Sequence, residues 1–382
     1  MELRQVSSAS PIPRSQQRFD MALARLERDA LVCPENREQI RRFSKNRLAS
    51  GASSFRVVKC MYCLRFLAAW LKTPFADATK DELIDLVGTL EGKKYSENTK
   101  YDFKVVLKLF YKWLKGNDEE FPQEIKWLKP RLRNTAQKLP EELLTEDEVL
   151  RIARAANHPR DKAFVLVLYE SGCRIGEMLS LKVKNVQFDQ YGAILRVTGK
   201  TGDRRVRIIS SAPALTAWLD LYEYSKEPNA ALWPPRSNRV YQSGISAEPA
   251  SFYAILRGLA TKAGVNKRVY PHLFRHSRAT FLASKLTEAQ MKEHFGWTQS
   301  SEMAATYVHL SGRDVDNTLL ALYHVTDENG NKLVEKEPEI QAKSCPRCKE
   351  KNSPISRFCY KCGNPLDELP ALSQSNPAIT TN

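Results

Sequence analysis

The chain has 382 residues, 42% of them hydrophobic and 27% charged, which fits two or three globular domains and excludes collagen-like, mucin-like and wholly disordered classes. No stretch approaches the roughly 18–20 uncharged apolar residues of a membrane span, and Met1 to Arg18 lacks an apolar signal segment, so the expected compartment is the cytoplasm. Lysine and arginine outnumber aspartate and glutamate by 59 to 44, and the surplus of +15 lies before Asp327, because Asp327 to Asn382 carries eight residues of each sign; such a surplus predicts a polyanionic partner, most simply nucleic acid.

Residues 16–117 predict an all-helical domain. Phe55 to Leu71, Lys80 to Val87 and Ser96 to Leu114 carry apolar residues at helical spacing, and Ser96 stands where a helix N-cap belongs. The aromatic residues of these segments read as helix-packing core rather than base-stacking platforms. Cys60 and Cys63 fall inside one helix with no second pair nearby, and read as buried core cysteines. Residues 118–143 form a basic linker containing Lys126, Lys129, Arg131, Arg133 and Lys138, a pattern suited equally to tracking a phosphate backbone and to a solvated tether.

The second domain, residues 144–326, predicts helices with a short strand pair. Thr145, followed by Glu146, Asp147, Glu148 and an apolar run, reads as an N-cap with an acidic first turn. Ala163 to Tyr169 is the longest apolar run and reads as a buried helix. Ala193 to Thr198 and Arg205 to Ile209 partly alternate apolar and polar residues, and Gly199-Lys-Thr-Gly-Asp between them supplies turn chemistry. Helical patterns resume at about Ser251 and continue to near Tyr323. Residues 327–343 predict a flexible spacer, residues 344–367 a cysteine module, and residues 368–382 a disordered tail. The expected class is therefore mainly α with a small antiparallel β-sheet.

Four segments carry chemistry. In Tyr270-Pro-His-Leu-Phe-Arg-His-Ser, Pro271 suits the first turn of a helix. His272 and Arg275, three apart, then share a face near the end where unpaired backbone N–H groups favour anions, which suits a phosphate. Arg174 stands between Gly172 and Gly176, small neighbours that let a ligand approach closely; the plainer reading is a surface arginine bonded to Glu177. Lys200 sits at the hairpin tip in Gly199-Lys-Thr, which resembles half of a Walker A loop. That loop needs a further glycine at position 194, which is Ile194, and a strand rather than a helix follows, so nucleotide binding is excluded. A lysine there can instead reach into a phosphate site from outside. Gly296 reads as a helix C-terminus, Trp297 begins a turn, and Tyr307 lies in the next short helix. Taken alone, Trp297 and Tyr307 would read as ordinary packing residues.

Together these segments resemble the tyrosine recombinase, or phage integrase, family, and Gly296-Trp-Thr-Gln through Tyr307-Val-His-Leu-Ser-Gly-Arg-Asp looks like its archaeal members. The likeness is most specific from Leu144 to Leu322 and extends loosely to the N-terminal helices, which look like the family's core-binding, SAM-like domain. Arg174 matches the first catalytic arginine, Lys200 the hairpin lysine, and His272 with Arg275 the His-x-x-Arg pair, which implies that His272 accepts the phenolic proton or bonds a phosphate oxygen. Trp297 falls where most members carry histidine and some tryptophan, and Tyr307 matches the nucleophile. Tyr323, in an apolar stretch that looks structural, is the fallback. The resemblance implies cleavage of double-stranded DNA through a 3′-phosphotyrosine, rejoining without ATP or a catalytic metal, a clamp of two domains around DNA, and a homotetramer on two DNA sites during exchange. A non-catalytic DNA-binding protein on the same fold and a type IB topoisomerase-like enzyme are the alternatives.

Cys345-Pro-Arg-Cys348 and Cys359-Tyr-Lys-Cys362 form CxxC-x10-CxxC, which suits tetrahedral Zn²⁺ in a zinc ribbon. A module this short lacks the core to fold unaided, so a structural zinc would supply its stability. Six basic residues against Glu350 between Lys343 and Lys361 suit contact with DNA, and a protein contact is equally expected.

Overall fold

The computed structural model describes residues 14–116, 120–132, 140–199, 202–235, 247–310 and 340–367, in two compact units divided between Gln137 and Lys138. The first unit contains α1 (Arg14–Arg28), α2 (Pro34–Ala49), α3 (Ser54–Trp70), α4 (Lys80–Glu91), α5 (Glu97–Lys115) and the short α6 (Gln123–Lys126). Two starts are fixed by side chains: Thr79 and Glu82 form a reciprocal capping box on α4, and the Ser96 hydroxyl accepts the N–H of Thr99 on α5. The aromatic residues pack on one another, as their spacing predicts. Phe110 meets Phe43 at 5.3 Å and Phe75 at 4.9 Å, and Phe103 stacks on Trp70 at 5.8 Å. Two buried polar groups hold the α3–α4 loop: Phe75 donates its N–H to Asn36, and Tyr111 donates to the Phe75 carbonyl. Cys60 and Cys63 are buried in α3, and burial pushes the Cys63 thiol up to about 12, as befits core cysteines.

The second unit is built around α8 (Pro159–Ser171), whose residues from Ala163 to Ser171 are all buried. α7 (Glu146–Ala155), α10 (Ala212–Leu221) and α12 (Pro271–Ala283) pack against it, and α11 (Pro249–Lys262) packs on α7. α7 begins at a capping box of Thr145 with Glu148. A three-stranded antiparallel sheet, β1 (Val186–Asp189), β2 (Gly192–Gly199) and β3 (Gly202–Ile208), follows α9 (Ile175–Ser180). Buried Glu170 accepts the backbone N–H groups of Ile209, Ser210 and Ser211, which ties the end of β3 and the start of α10 to α8. β1 and α10 are additions to the expected elements. Three of the four β1 residues are exposed, so no alternation of burial marks it in sequence.

A small satellite core joins Ala279 and Ala283 of α12, Met291 and Phe295 of α13 (Glu288–Phe295), and Ala304 and Tyr307 of α14 (Met303–Leu310). β4 (Lys343–Ser344) and β5 (Lys351–Asn352) form a two-stranded hairpin in the cysteine module. Residues 133–139 of the linker, residues 327–339 of the spacer, and the tail lie outside the described residues. Among those described, no helix is long and apolar enough to cross a membrane.

Candidate active site

Arg174 is the N-cap residue of α9. Its N–H and its guanidinium both donate to Glu177, at 2.9 and 2.8 Å, and a further N–H reaches the Gly296 carbonyl at 3.3 Å. Glu177 is only 6% exposed, and it also receives two N–H groups of Arg204 on β3, at 3.1 and 2.8 Å. Burial would raise the Glu177 carboxyl, but the hydrogen bonds from Arg204 and Arg174 outweigh it and hold the group down to about 2. Arg204 donates its remaining Nε–H to the His294 carbonyl. Glu177 is thus a fixed anion between two arginines, and it sets the direction of Arg174.

Gly172 ends α8 in the left-handed conformation, with φ of 57°. Its missing side chain makes room for the Phe295 ring, since a Cβ there would stand 2.4 Å from Phe295 Cε1. The space at that glycine is therefore filled by the protein itself. A Cβ on Gly176 would meet nothing.

Pro271 occupies the first turn of α12, as its position predicts. Arg275, 2% exposed, donates to the Gly172 carbonyl at 2.8 Å and the Phe295 carbonyl at 2.7 Å. Burial and the charge of Arg174 push its guanidinium down to about 10, which leaves it cationic at neutral pH. Both arginines therefore converge on the carbonyl end of α13, where cations are favoured. Trp297 leaves that end and stacks between two rings, with Phe295 at 4.9 Å and Tyr307 at 5.5 Å. Tyr307 is 4% exposed; burial pushes its phenol up to about 12, opposed by the charge of Arg275.

His272 is exposed, and its ring meets His276 edge-on at 4.6 Å. His276 Nδ1 is hydrogen-bonded to the Tyr307 hydroxyl. The structure thus gathers Arg174, Arg275, Trp297 and Tyr307, sets His272 one helical turn from the phenol's partner, and leaves Lys200 and Tyr323 outside the described residues. The strands flanking Lys200 end at the pair Gly199 and Gly202, and a Cβ on Gly199 would stand 2.7 Å from Glu177 Oε1. That end of the hairpin therefore abuts the site.

The bond from Arg174 to Glu177 is the one the plainer sequence reading gave, and two residues escaped that reading: Arg204 and His276. Arg204 had a signal in strand alternation, because it shares a face of β3 with buried Val206 and Ile208 while Arg205 and Arg207 point outward. His276 lies four residues after His272, which places it on the same helix face.

The four cysteines of the ribbon also meet. All their sulfurs lie within 4.8 Å of one another, with Cys345 to Cys362 at 3.5 Å and Cys348 to Cys359 at 3.6 Å. A tetrahedron with metal–sulfur bonds of ~2.3 Å has edges of about 3.8 Å, so this set fits one metal ion. The two knuckles repeat each other. Lys349 and Gly363, which follow the second cysteine of each pair, have φ of 61° and 68°. Each donates its N–H to the carbonyl of the first cysteine at 2.9 Å.

Residues 142–313, which contain Arg174, the α12 motif and Tyr307, match the phage integrase family. The chain is 33% identical to the tyrosine recombinase XerA of Pyrococcus horikoshii over 151 residues, 39% of this chain and 50% of that protein, so it spans half the length of this relative. Two solved structures share the fold. XerH site-specific recombinase bound to palindromic difH substrate in a post-cleavage complex has a TM-score of 0.57 and 17% identity, covering 81% of this chain and 89% of that one. The lambda integrase tetramer bound to a Holliday junction has a TM-score of 0.53 and 15% identity, covering 73% and 78%. Residues 142–313, the stretch that assembles the two arginines and the tyrosine at one helix end, are thus similar to the phage integrase family and to tyrosine recombinases.

Proposed function

We propose that the protein is a site-specific DNA recombinase of the cytoplasmic compartment that cuts and rejoins strands through a 3′-phosphotyrosine on Tyr307. One observation carries the reading: Arg174 and Arg275, 101 residues apart in a chain where residue 174 precedes residue 275, bond to the adjacent carbonyls of Gly296 and Phe295, and Tyr307 stacks on the next residue, Trp297. A phosphodiester is already anionic, and its pentacoordinate transition state concentrates more charge on its oxygens. Each guanidinium has five N–H donors, and the bonds to protein occupy two of them in Arg174 and two in Arg275. The remainder can hold phosphate oxygens, where losing one such donor typically costs about 10²–10³ in rate.

In this reading Tyr307 Oη attacks phosphorus, the P–O5′ bond breaks, and Lys200 protonates the departing 5′-oxygen. His272 and the Trp297 indole N–H bond non-bridging oxygens. The covalent link stores the bond energy, so rejoining by the 5′-hydroxyl needs no ATP. The two domains clamp duplex DNA, and four protomers act on two sites during exchange, in keeping with the tetramer of the lambda integrase. The cysteine set holds a structural Zn²⁺, and the six basic residues around it favour DNA as its contact.

The test is Tyr307→Phe on nicked or suicide duplexes. We expect no covalent adduct and unchanged DNA binding in gel shift. An undiminished adduct removes Tyr307 from the role, and binding without any adduct in the unsubstituted chain identifies a non-catalytic DNA-binding protein instead.

A further inference from the structure

The helix that carries Arg275 also presents an imidazole, that of His276, to the phenol. α12 and α14 pack against each other, and the bond between His276 Nδ1 and Tyr307 Oη crosses their interface. The two rings lie 5.7 Å apart. His276 is partly buried, whereas His272, one turn earlier, is exposed. From this juxtaposition we propose that His276, rather than His272, is the base that accepts the Tyr307 proton; the proposal rests on the recombinase reading above.

The step balances as follows. The phenolic proton passes from Tyr307 Oη to His276 Nδ1, giving an imidazolium. The Oη–P bond forms, the P–O5′ bond breaks, and the 5′-oxygen takes its proton from Lys200. Rejoining reverses each transfer. The imidazole must begin neutral with its hydrogen on Nε2, so that the Nδ1 lone pair faces the hydroxyl.

A base is needed because the phenol is hard to ionise. With the hydroxyl pushed up to about 12 by burial, on the order of one molecule in 10⁵ carries a phenolate at pH 7. Arg275 stabilises the phenolate but has no lone pair to take the proton. Trp297, stacked on the same ring, is a donor only. His276 offers an imidazole nitrogen already in contact with the reacting oxygen.

The experiment uses the full-length chain and suicide duplexes selected from a randomised DNA library by covalent capture on the unsubstituted protein. Adduct formation is followed in single turnover and DNA binding by gel shift. His276→Gln keeps a polar group beside the hydroxyl but cannot hold the proton. We expect binding to be retained and adduct formation to slow by about 10²–10⁴, the usual contribution of a general base. His276→Ala leaves a gap, and added imidazole should restore part of its lost rate, an effect that a packing role would not give. A 5′-bridging phosphorothiolate, whose leaving group needs no proton, should rescue Lys200→Ala but not His276→Gln.

Unchanged cleavage by His276→Gln overturns the proposal. So does failure of imidazole to restore any activity to His276→Ala, and so does phosphorothiolate rescue of His276→Gln. If His276→Ala fails to fold, His276→Gln and its phosphorothiolate result decide. If the unsubstituted chain captures no DNA, the recombinase reading falls and this proposal with it; capture by the unsubstituted chain alongside an unimpaired His276→Gln sinks the proposal alone.

Discussion

The charge of Arg204 acts on two buried groups at once. Burial pushes the His294 imidazole down to about 4, reinforced by Arg278, Arg204 and Arg275, so it folds neutral. Its unfolded value lies near 6.5, and between those values the unfolded chain binds the extra proton. Stability contributed by neutral His294 is therefore complete above about pH 6.5 and lost as pH falls toward 4. Glu177, held at about 2 against an ordinary 4.5, adds a second loss as pH falls from 4.5 toward 2. Urea unfolding across pH 7 to 4 should show a falling midpoint, and His294→Phe should flatten the fall between 6.5 and 4.5. A slope unaltered by that substitution would assign the effect to other groups. These responses were not legible in the sequence, because the first arises from tertiary burial and the second largely from Arg204, which approaches from another element.

At the scale of elements, the end of α8 is a tightly constrained position. Gly172 combines a φ of 57° with a gap that Phe295 fills, and its carbonyl receives Arg275. Gly172→Ala adds a methyl group in a disfavoured backbone region and against the ring. Left-handed strain costs about 1–2 kcal/mol and overpacking a further ~1–3 kcal/mol. We expect chemical denaturation to show a loss of at least ~2 kcal/mol, with cleavage falling further because Arg275 shifts; a loss below ~0.5 kcal/mol would mean that Phe295 yields freely. Two helix starts were readable in sequence because Ser96 and Thr145 cap through bonds spanning three residues. β1 was not, since Val186↔Leu195 pairing rather than its own pattern makes it a strand.

For the whole molecule, the cysteine ribbon is part of the catalytic unit's packing. Ile340 joins the large core at 6% exposure, and partly buried Ile355 packs against it. A metal on the four cysteines would therefore also support the surface on which the ribbon sits. Removing the metal with a strong chelator, or replacing Cys345 and Cys348 with serine, should lower the melting temperature of residues 138–382 by several degrees for each ~1 kcal/mol lost. Calorimetry of the full chain checks this. A ribbon transition that disappears while the main transition stays fixed would show that the two are energetically independent.

Sequence alone determined what depends on neighbours along the chain. The capped helices, the β2–β3 hairpin, the buried run at Ala163 to Tyr169, the paired CxxC knuckles and the basic surplus all follow from short spacings or simple sums. The motif residues were visible for the same reason. Tertiary structure decided what those residues face. It placed Glu177 between Arg174 and Arg204, put Phe295 against Gly172, and gave the Tyr307 hydroxyl to His276 instead of His272. The physical reason is that hydrogen bonds and desolvation act over a few ångströms of space, and the packing of α8, α12, α13, α14 and β3 brings together groups that no periodicity relates.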